Sequence, residues 1–538
     1  MEDRNSTKII IKNLSVPAQA GTDAVFEAAK KKLRAAGIVY KKDALSLYRR
    51  SVDARKKNDI RFVCSVEAEI DGKVDESALA KVGAEVLREE KITVAPGSEK
   101  MSASPVVVGS GPCGLFCALL LAQNGYSPIL LERGADVEAR ERQIQKFHST
   151  RVLDPDTNVQ FGAGGAGTFS DGKLITRIND PLCAYVLSTF REFGAPESIM
   201  TLAKPHVGTD NLKKVVSSII DKIVSLGGKV YFNTKFEGAR YENGKVVSVI
   251  ANGSEIKCGA LVLAIGHSAR DTYANLGSNG FVMNPKDFSC GVRIEHLTQD
   301  IDRAMYGDGA DIDLLGHAEY TLSHRIGERG VYSFCMCPGG SVIAAASEEG
   351  GVVTNGMSEY ARDGRNSNAA IAVSVLKSDY GNTVEGAVAF QRRLERAAFE
   401  AGGRDYSAPV QKVGDFMQGK VSSSFGRITP TYADSCSVAF ADLSRLMPGF
   451  MSEMLKIGIT AFDSRISGFA VGDAVLTGFE TRTSAPLRIE RSEARTAIGY
   501  DNVYPAGEGA GYAGGITSAA VDGLRTALAI CSRYAPII

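Results

Sequence analysis

The chain has 538 residues, 44% of them hydrophobic and 23% charged. That is a globular composition on a chain too long for one ordinary core, so two or three domains are expected. Lys plus Arg and Asp plus Glu balance at 62 each, which gives no support for whole-protein attraction to nucleic acid or anionic membrane, and no apolar run reaches the roughly 18 residues of a membrane span.

Residues 1–98 read as a small separate domain. Lys8 to Leu14 alternates as a strand, and Asp23 to Ala35 carries Val25, Phe26, Ala29 and Leu33 on one helical face. Ala44 to Ala54 and Ile60 to Ile70 read as long strands, Glu76 to Arg88 as a second helix and Lys91 to Ala95 as a short last strand. The order β-α-β-β-α-β is the ferredoxin-like split motif. Its basic residues, among them Lys30 to Lys32, Arg49, Arg50 and Arg55 to Lys57, form either a solvated surface or an RNA-facing patch, and charge patterning favours the former. Met1 to Lys12 is polar, without the apolar stretch of a signal peptide, and the ten cysteines show no disulfide framework, so a cytoplasmic protein with reduced thiols is expected.

Pro96 to Pro105 is a linker of turn-forming residues. Beyond it, Pro105 to Val108 reads as a buried strand, Pro112 to Asn124 as a helix ended by Gly125, and Ile129 to Leu131 as the next strand. Thr209 to Leu226 is strongly amphipathic, with Leu212, Val215, Val216, Ile219, Ile220, Ile223 and Val224 on one stripe. Three strands follow between Lys235 and Cys258, joined by Asn243-Gly244 and Asn252-Gly253, both hairpin dipeptides. Ala260 to Ile265 is a further apolar strand closed by Gly266. Residues 290 to about 480 show less pattern: strands around Val331 to Met336 and Ser341 to Ala346, and a helix Val384 to Ala401. A last strand, Asn502 to Ala506, and a last helix, Ile516 to Arg533, close the chain.

The strongest chemical signal is the G-x-G-x-x-G of Gly109, Gly111 and Gly114 between a strand and a helix. The first glycine permits the turn, the second lets the backbone approach a pyrophosphate, and the third lets the helix pack on the sheet. The helix start at Pro112 then presents free N–H groups to phosphate. Glu132, 18 residues after Gly114, ends the second strand where a carboxylate accepts from a ribose diol, and Arg133 joins it. The motif alone does not separate FAD from NAD. A second glycine run, residues 158–174, exposes backbone N–H groups at Gly162, Gly165 and Gly167 and ends in Lys173. No histidine pair has metal spacing, and no metal site is expected.

Two segments resemble glutathione-reductase-type FAD domains. The meander before Ala260 to Ile265 is similar to their crossover, with Phe236, Ala264 and Gly266 facing the cofactor. The C-terminal run NVYPAGEGAGYAGGITSAAVDG is similar to their last FAD motif, with Gly507-Glu508 where Gly-Asp is usual and with Gly514, Gly515, Ile516 and Thr517 opening a helix toward the flavin. Residues 101–538 together resemble the bacterial FAD-dependent (NAD(FAD)-utilising) dehydrogenase family, and the N-terminal domain fits it as well. The resemblance implies non-covalent FAD, hydride transfer between flavin N5 and a small-molecule substrate, and Lys173 as a donor to flavin N5 or O4; a surface lysine is the competing reading. Phe334-Cys335-Met336-Cys337-Pro338-Gly339-Gly340 places two thiols on one face of an extended strand, either as a redox partner of the flavin or as small buried residues before a turn.

The expected architecture is therefore α/β: a ferredoxin-like domain (1–98), a Rossmann-like FAD-binding domain with a β-meander crossover (99–290 and 481–538), and an inserted α+β substrate domain (291–480). Without a second G-x-G-x-x-G, NAD(P)H is expected only as a transient donor. An RNA-modifying flavoprotein using the basic N-terminal domain is the alternative.

Overall fold

The computed structural model describes residues 6–72, 75–87 and 92–537. The chain folds as two compact units. The first is Met1–Thr93 together with Pro196–His206 and Gln299–Ala318, and the second is the remainder. Two short segments from the middle of the chain thus belong with the N-terminal fold. They carry apolar and backbone groups to it: Leu314 and Leu315 pack on its core, and Thr201 and Ala203 exchange backbone hydrogen bonds with Arg50.

Unit 1 runs β1 (Ser6–Pro17), α1 (Gly21–Ala35), β2 (Tyr40–Asp53), β3 (Arg61–Asp71), α2 (Glu76–Lys81) and β4 (Ala84–Val86). The sheet order is β2-β3-β1-β4, antiparallel throughout. The second helix is shorter than its sequence pattern and the last strand comes earlier. Gly83, at φ 68°, turns the chain out of the helix, and Ala84–Val86 pairs with Ile9–Ile11. Of the expected strand 91–95, Lys91 lies outside the described residues, and Ile92 to Ala95 form no strand. Several of the basic side chains meet carboxylates: Lys30 pairs with Glu27, Lys41 with Glu69 and Arg55 with Asp53.

Unit 2 begins with β5 (Val106–Val108), α3 (Pro112–Gln123), β6 (Ile129–Leu131), α4 (Val137–Thr150) and β7 (Lys229–Tyr231). The meander β8 (Phe236–Glu242), β9 (Lys245–Ala251), β10 (Ser254–Lys257) and then β11 (Leu261–Leu263) follow. Next come β12 (Met283–Pro285), β13 (Phe288–Leu297), β14 (Ser323–Ile326), β15 (Arg329–Cys337), β16 (Ser341–Ala344), β17 (Thr354–Met357) and β18 (Asn366–Val375). The last strands are β19 (Ala408–Lys412), β20 (Val438–Phe440), β21 (Val475–Glu480), β22 (Leu487–Ile489) and β23 (Val503–Pro505), before a final helix Ile516–Arg533.

The parallel sheet β23-β11-β5-β6-β7 is the Rossmann-like layer. Its central three-residue strands are apolar throughout, as strands buried on both faces are. The second layer is the seven-stranded sheet β14-β15-β18-β13-β21-β19-β20. Its central strands β13 and β18 have no alternation to detect: every residue of FSCGVRIEHL is buried, Arg293 and Glu295 included. At β15 the expected extended run breaks. Phe334 faces Ala370 but Cys337 faces Asn368, so one extra residue bulges, and Cys335 takes φ 42°. Cys335 is consequently exposed while Cys337 is buried, contrary to a simple shared face.

Arg140 on α4 organises the glycine-rich loop. Fully buried, it donates to the carbonyls of Asn158, Val159, Ala163 and Gly165. Burial pulls its pKa down to about 9, so it stays cationic at neutral pH. Arg140→Met keeps bulk but strands those carbonyls. The variant is expected to lose about 3 kcal/mol of stability or more, measured by denaturant unfolding.

Candidate active site

Strand β5 delivers the chain into the turn at Gly109, whose φ is 98°. A Cβ there would overlap the Ala264 carbonyl oxygen, and a Cβ on Gly114 would overlap the Gly109 carbonyl oxygen. Both glycines therefore serve packing. Gly111 differs: its Cβ would meet only the Gly165 Cα, at 3.9 Å. It caps α3, with Pro112 as first helical residue, and its free side faces a cleft of about 1540 Å³.

Glu132 closes the floor of this turn. Its Oε2 accepts from the Ser110 N–H and hydroxyl at 2.9 and 2.7 Å, and its Oε1 from the Gly134 and Gly162 N–H groups at 2.9 and 3.0 Å. Four donors fill the acceptor capacity of a carboxylate. The residue that spacing assigns to a ribose is thus a clamp joining three turns. Arg133 lines the cleft beside it and pairs with Asp271.

The C-terminal segment reaches the same cleft. The Gly507 N–H donates to buried Asp522, which Arg491 and Arg495 neutralise. Gly523 lets the last helix approach α3 so closely that a Cβ would overlap the Cys113 carbonyl. Gly514, Gly515 and Ile516 open that helix onto the cleft, so two helix N-termini face one space.

Of the residues singled out from sequence, Gly109, Gly111, Pro112, Glu132, Arg133, Gly165, Gly167, Phe236, Ala264, Gly266, Glu508, Gly514, Gly515 and Ile516 line the cleft, as do Lys173, Cys335 and Cys337. Four do not. Gly114 packs as above, Gly162 lies against Arg140, Gly507 lies against Cys113, and Thr517 donates to the Leu174 carbonyl. Sequence reasoning missed Gln160, Asp171, Glu480 and Arg482, which also line the cleft. Each is a polar residue whose own position matches no motif. His267, following Gly266, lines it too; burial, with Arg482 and Arg270, pulls it down to about 3, so the ring is neutral.

At one end, Lys173 Nζ sits 2.7 Å from Asp171 and 3.2 Å from Glu319. Burial works against its charge, but the two carboxylates outweigh it and Lys173 titrates above an ordinary lysine. Arg362 holds the same two carboxylates. The thiols nearby are not thiolates: enclosure between the cleft walls and the neighbouring Glu480 push Cys335 up strongly, and burial pushes Cys337 up to about 11.

The residues fit a dinucleotide. Cβ atoms at Gly266 and Gly514 would meet nothing within 4 Å, and one at Gly515 only Ser518 Oγ at 4.0 Å, so the lining presents bare backbone where a ligand would lie. Burial pushes the Glu508 carboxyl up to about 7 against the pull of Lys286. Such a carboxyl suits ligand hydroxyls. No cluster of metal-holding side chains occurs among the described residues, and no helix among them is long and apolar enough to cross a membrane.

This is a dinucleotide-binding Rossmann-like fold. Residues 107–163 match the NAD(P)-binding Rossmann-like domain, and residues 287–483 match the C-terminal domain of FAD-dependent proteins. A Clostridium beijerinckii protein described only as uncharacterized is 47% identical over 497 residues, 91% of this chain and 92% of that one. Solved structures with a similar course include CtdE in complex with FAD (10% identity, 80% of this chain and 83% of that one, TM-score 0.32). The flavin-dependent brominase Bmp2 is another (13%, 79% and 78%, TM-score 0.35). A geranylgeranyl bacteriochlorophyll reductase-like protein of Thermoplasma acidophilum is a third (13%, 80% and 78%, TM-score 0.32). The chain belongs to the family of FAD-dependent proteins, and FAD is its cofactor.

Gly111→Ala, whose methyl would make only an ordinary contact with the Gly165 Cα, is expected to unfold at the temperature of the flavin-free wild type yet to purify without yellow colour. Gly114→Ala should instead lower the melting temperature. The Glu508 carboxyl is harder to ionise folded (about 7) than unfolded (4.5), so the folded state holds an extra proton between those values. Its contribution to stability falls as pH rises through that window and is constant above it. The melting temperature of flavin-free Glu508→Gln, relative to wild type, should therefore rise between about pH 5 and about pH 8.

Proposed function

We propose that the protein is an FAD-dependent oxidoreductase acting on a small molecule held at the end of the cleft lined by Lys173, Cys335 and Glu480. The carrying observation is that one cleft joins the bare turn at Gly111, the helix start at Gly515 and this group of titratable side chains. FAD supplies a two-electron acceptor and donor at its isoalloxazine ring when bound.

The chain's own groups do the rest. Backbone N–H groups at Gly111 and the start of α3 bind the pyrophosphate. Glu508 binds hydroxyls of the ribityl chain. The helix N-terminus at Gly515 and Ile516 stabilises negative charge at the pyrimidine edge of the flavin. Lys173, fixed by Asp171 and Glu319, keeps a charged donor aimed at the ring or at a substrate oxygen, without the reorganisation a free lysine would need. Cys335 and Cys337 act as neutral thiols that shape this end. NAD(P)H serves as a transient donor, docking at the flavin rather than on a domain of its own.

Purified protein should show a flavin spectrum that bleaches anaerobically with dithionite and with NADH or NADPH. Lys173→Met should keep the flavin and slow its reduction by the nicotinamide about 10²-fold. Reduction of the variant at the wild-type rate would remove Lys173 from this scheme, and a flavin that no reductant bleaches would remove the scheme.

A further inference from the structure

The end of the cleft holds a carboxyl with no assigned task. Glu480 closes β21 and is 3% exposed. An extra residue on β21 sets it: Gly291 faces Glu480, while Val292 faces Gly478. Its Oε2 lies 3.2 Å from Nε of the fully buried Arg293, but neither atom makes an aligned hydrogen bond. Arg293 instead gives Nη1 and Nη2 to the Cys335 carbonyl at 3.1 and 3.2 Å. That grip turns the bulge of β15 so that Cys335 opens onto the cleft. Gly356 makes it possible, since a Cβ there would overlap Nη2. The result is a buried carboxyl that lines the cleft and is charge-compensated at Oε2 by Arg293 without an aligned hydrogen bond to it.

We propose that Glu480 exchanges a proton with the substrate, and that the substrate is an alcohol or amine, or the matching carbonyl or imine. This rests on the oxidoreductase reading above. In the oxidising direction a C–H and the adjacent O–H or N–H both break and a C=O or C=N forms. The hydride reduces FAD by two electrons, and the proton goes to the Glu480 carboxylate. In the other direction each transfer is reversed.

The neighbouring groups cannot take that part. Asp171 is held ionised and Lys173 charged by their mutual pairing. His267 is neutral, and the two thiols titrate far above neutrality. Glu480 is raised to about 7 by burial, opposed by Arg293. Cys290 from β13 and Cys335 and Tyr332 from β15 also face it, and all three remain uncharged at neutral pH.

The test uses FAD-loaded, full-length protein without substrate. Reduction adds negative charge to the cleft and raises the proton affinity of a carboxyl facing it. The slope of the flavin midpoint potential against pH, measured spectroelectrochemically, counts protons bound per electron pair. Above about pH 7, wild type should bind one more proton per two electrons than E480Q, and E480D should restore the count. Equal slopes in wild type and E480Q overturn the proposal. An infrared difference spectrum of wild type at about pH 8, reduced minus oxidised, needs no variant. A protonated-carboxyl band should appear and persist in E508Q, and its absence overturns the proposal. A flavin that reduces normally with neither signature defeats Glu480 alone; a flavin that cannot be reduced defeats the oxidoreductase reading itself.

Discussion

The Glu132 carboxylate holds the cofactor half of this molecule together. Three separate turns, at Ser110, Gly134 and Gly162, each point an N–H at one buried anion. Arg140 answers from the other side with a buried cation on four carbonyls of the same loop. Backbone N–H and C=O groups buried without partners would cost about 1–3 kcal/mol each. The two charged side chains remove that cost and, in the same act, fix where the remaining amides point. Gly111 can then stay bare, and Gly165, whose Cβ would overlap the Gly111 Cα, keeps the loop close against that turn.

The C-terminal helix depends on the same logic. Asp522, held by Arg491 and Arg495, accepts from the Gly507 N–H and so ties the last parallel strand to the helix that follows it. Gly523 lets that helix sink onto α3. Two helix N-termini from opposite ends of the chain are thereby brought to one cleft. Neither would bind a dinucleotide alone; their convergence follows from parallel pairing of β23 with β11 and β11 with β5.

The Rossmann half was legible in the sequence because its rules are local. A glycine at Gly109, an apolar strand before it and a helix after it are constrained within about ten residues, and the hairpin dipeptides of the meander within two. The seven-stranded sheet was not legible. Its central strands bury both faces, so FSCGVRIEHL and NSNAAIAVSV carry no period of two, and Arg293 and Glu295 look like surface residues until their partners arrive from β15, β18 and β21. Glu132 shows a subtler limit. Spacing located the carboxylate, but only the fold reveals that Gly162, 30 residues away, claims one of its oxygens. Cys335 and Cys337 were legible as a pair and misplaced as a geometry, since nothing in the local sequence announces the bulge that separates them.

The cleft divides its work by the kind of group that lines it. Toward the Gly111 turn, recognition is by backbone, so it is indifferent to pH and could be written into the sequence as missing side chains. Toward Lys173 and Glu480, the lining is of side chains whose charge the surroundings decide: a lysine kept cationic by two carboxylates, a Cys337 thiol kept neutral by burial, a carboxyl poised near neutrality beside a buried arginine. These states are products of tertiary contact and have no sequence signature. A cofactor site of the first kind tolerates many chemistries, whereas one of the second kind selects among them. On the proposed reading, selection lies with the sheet that carries Arg293 and Glu480, and with the loop that carries Lys173, rather than with the nucleotide fold beside them.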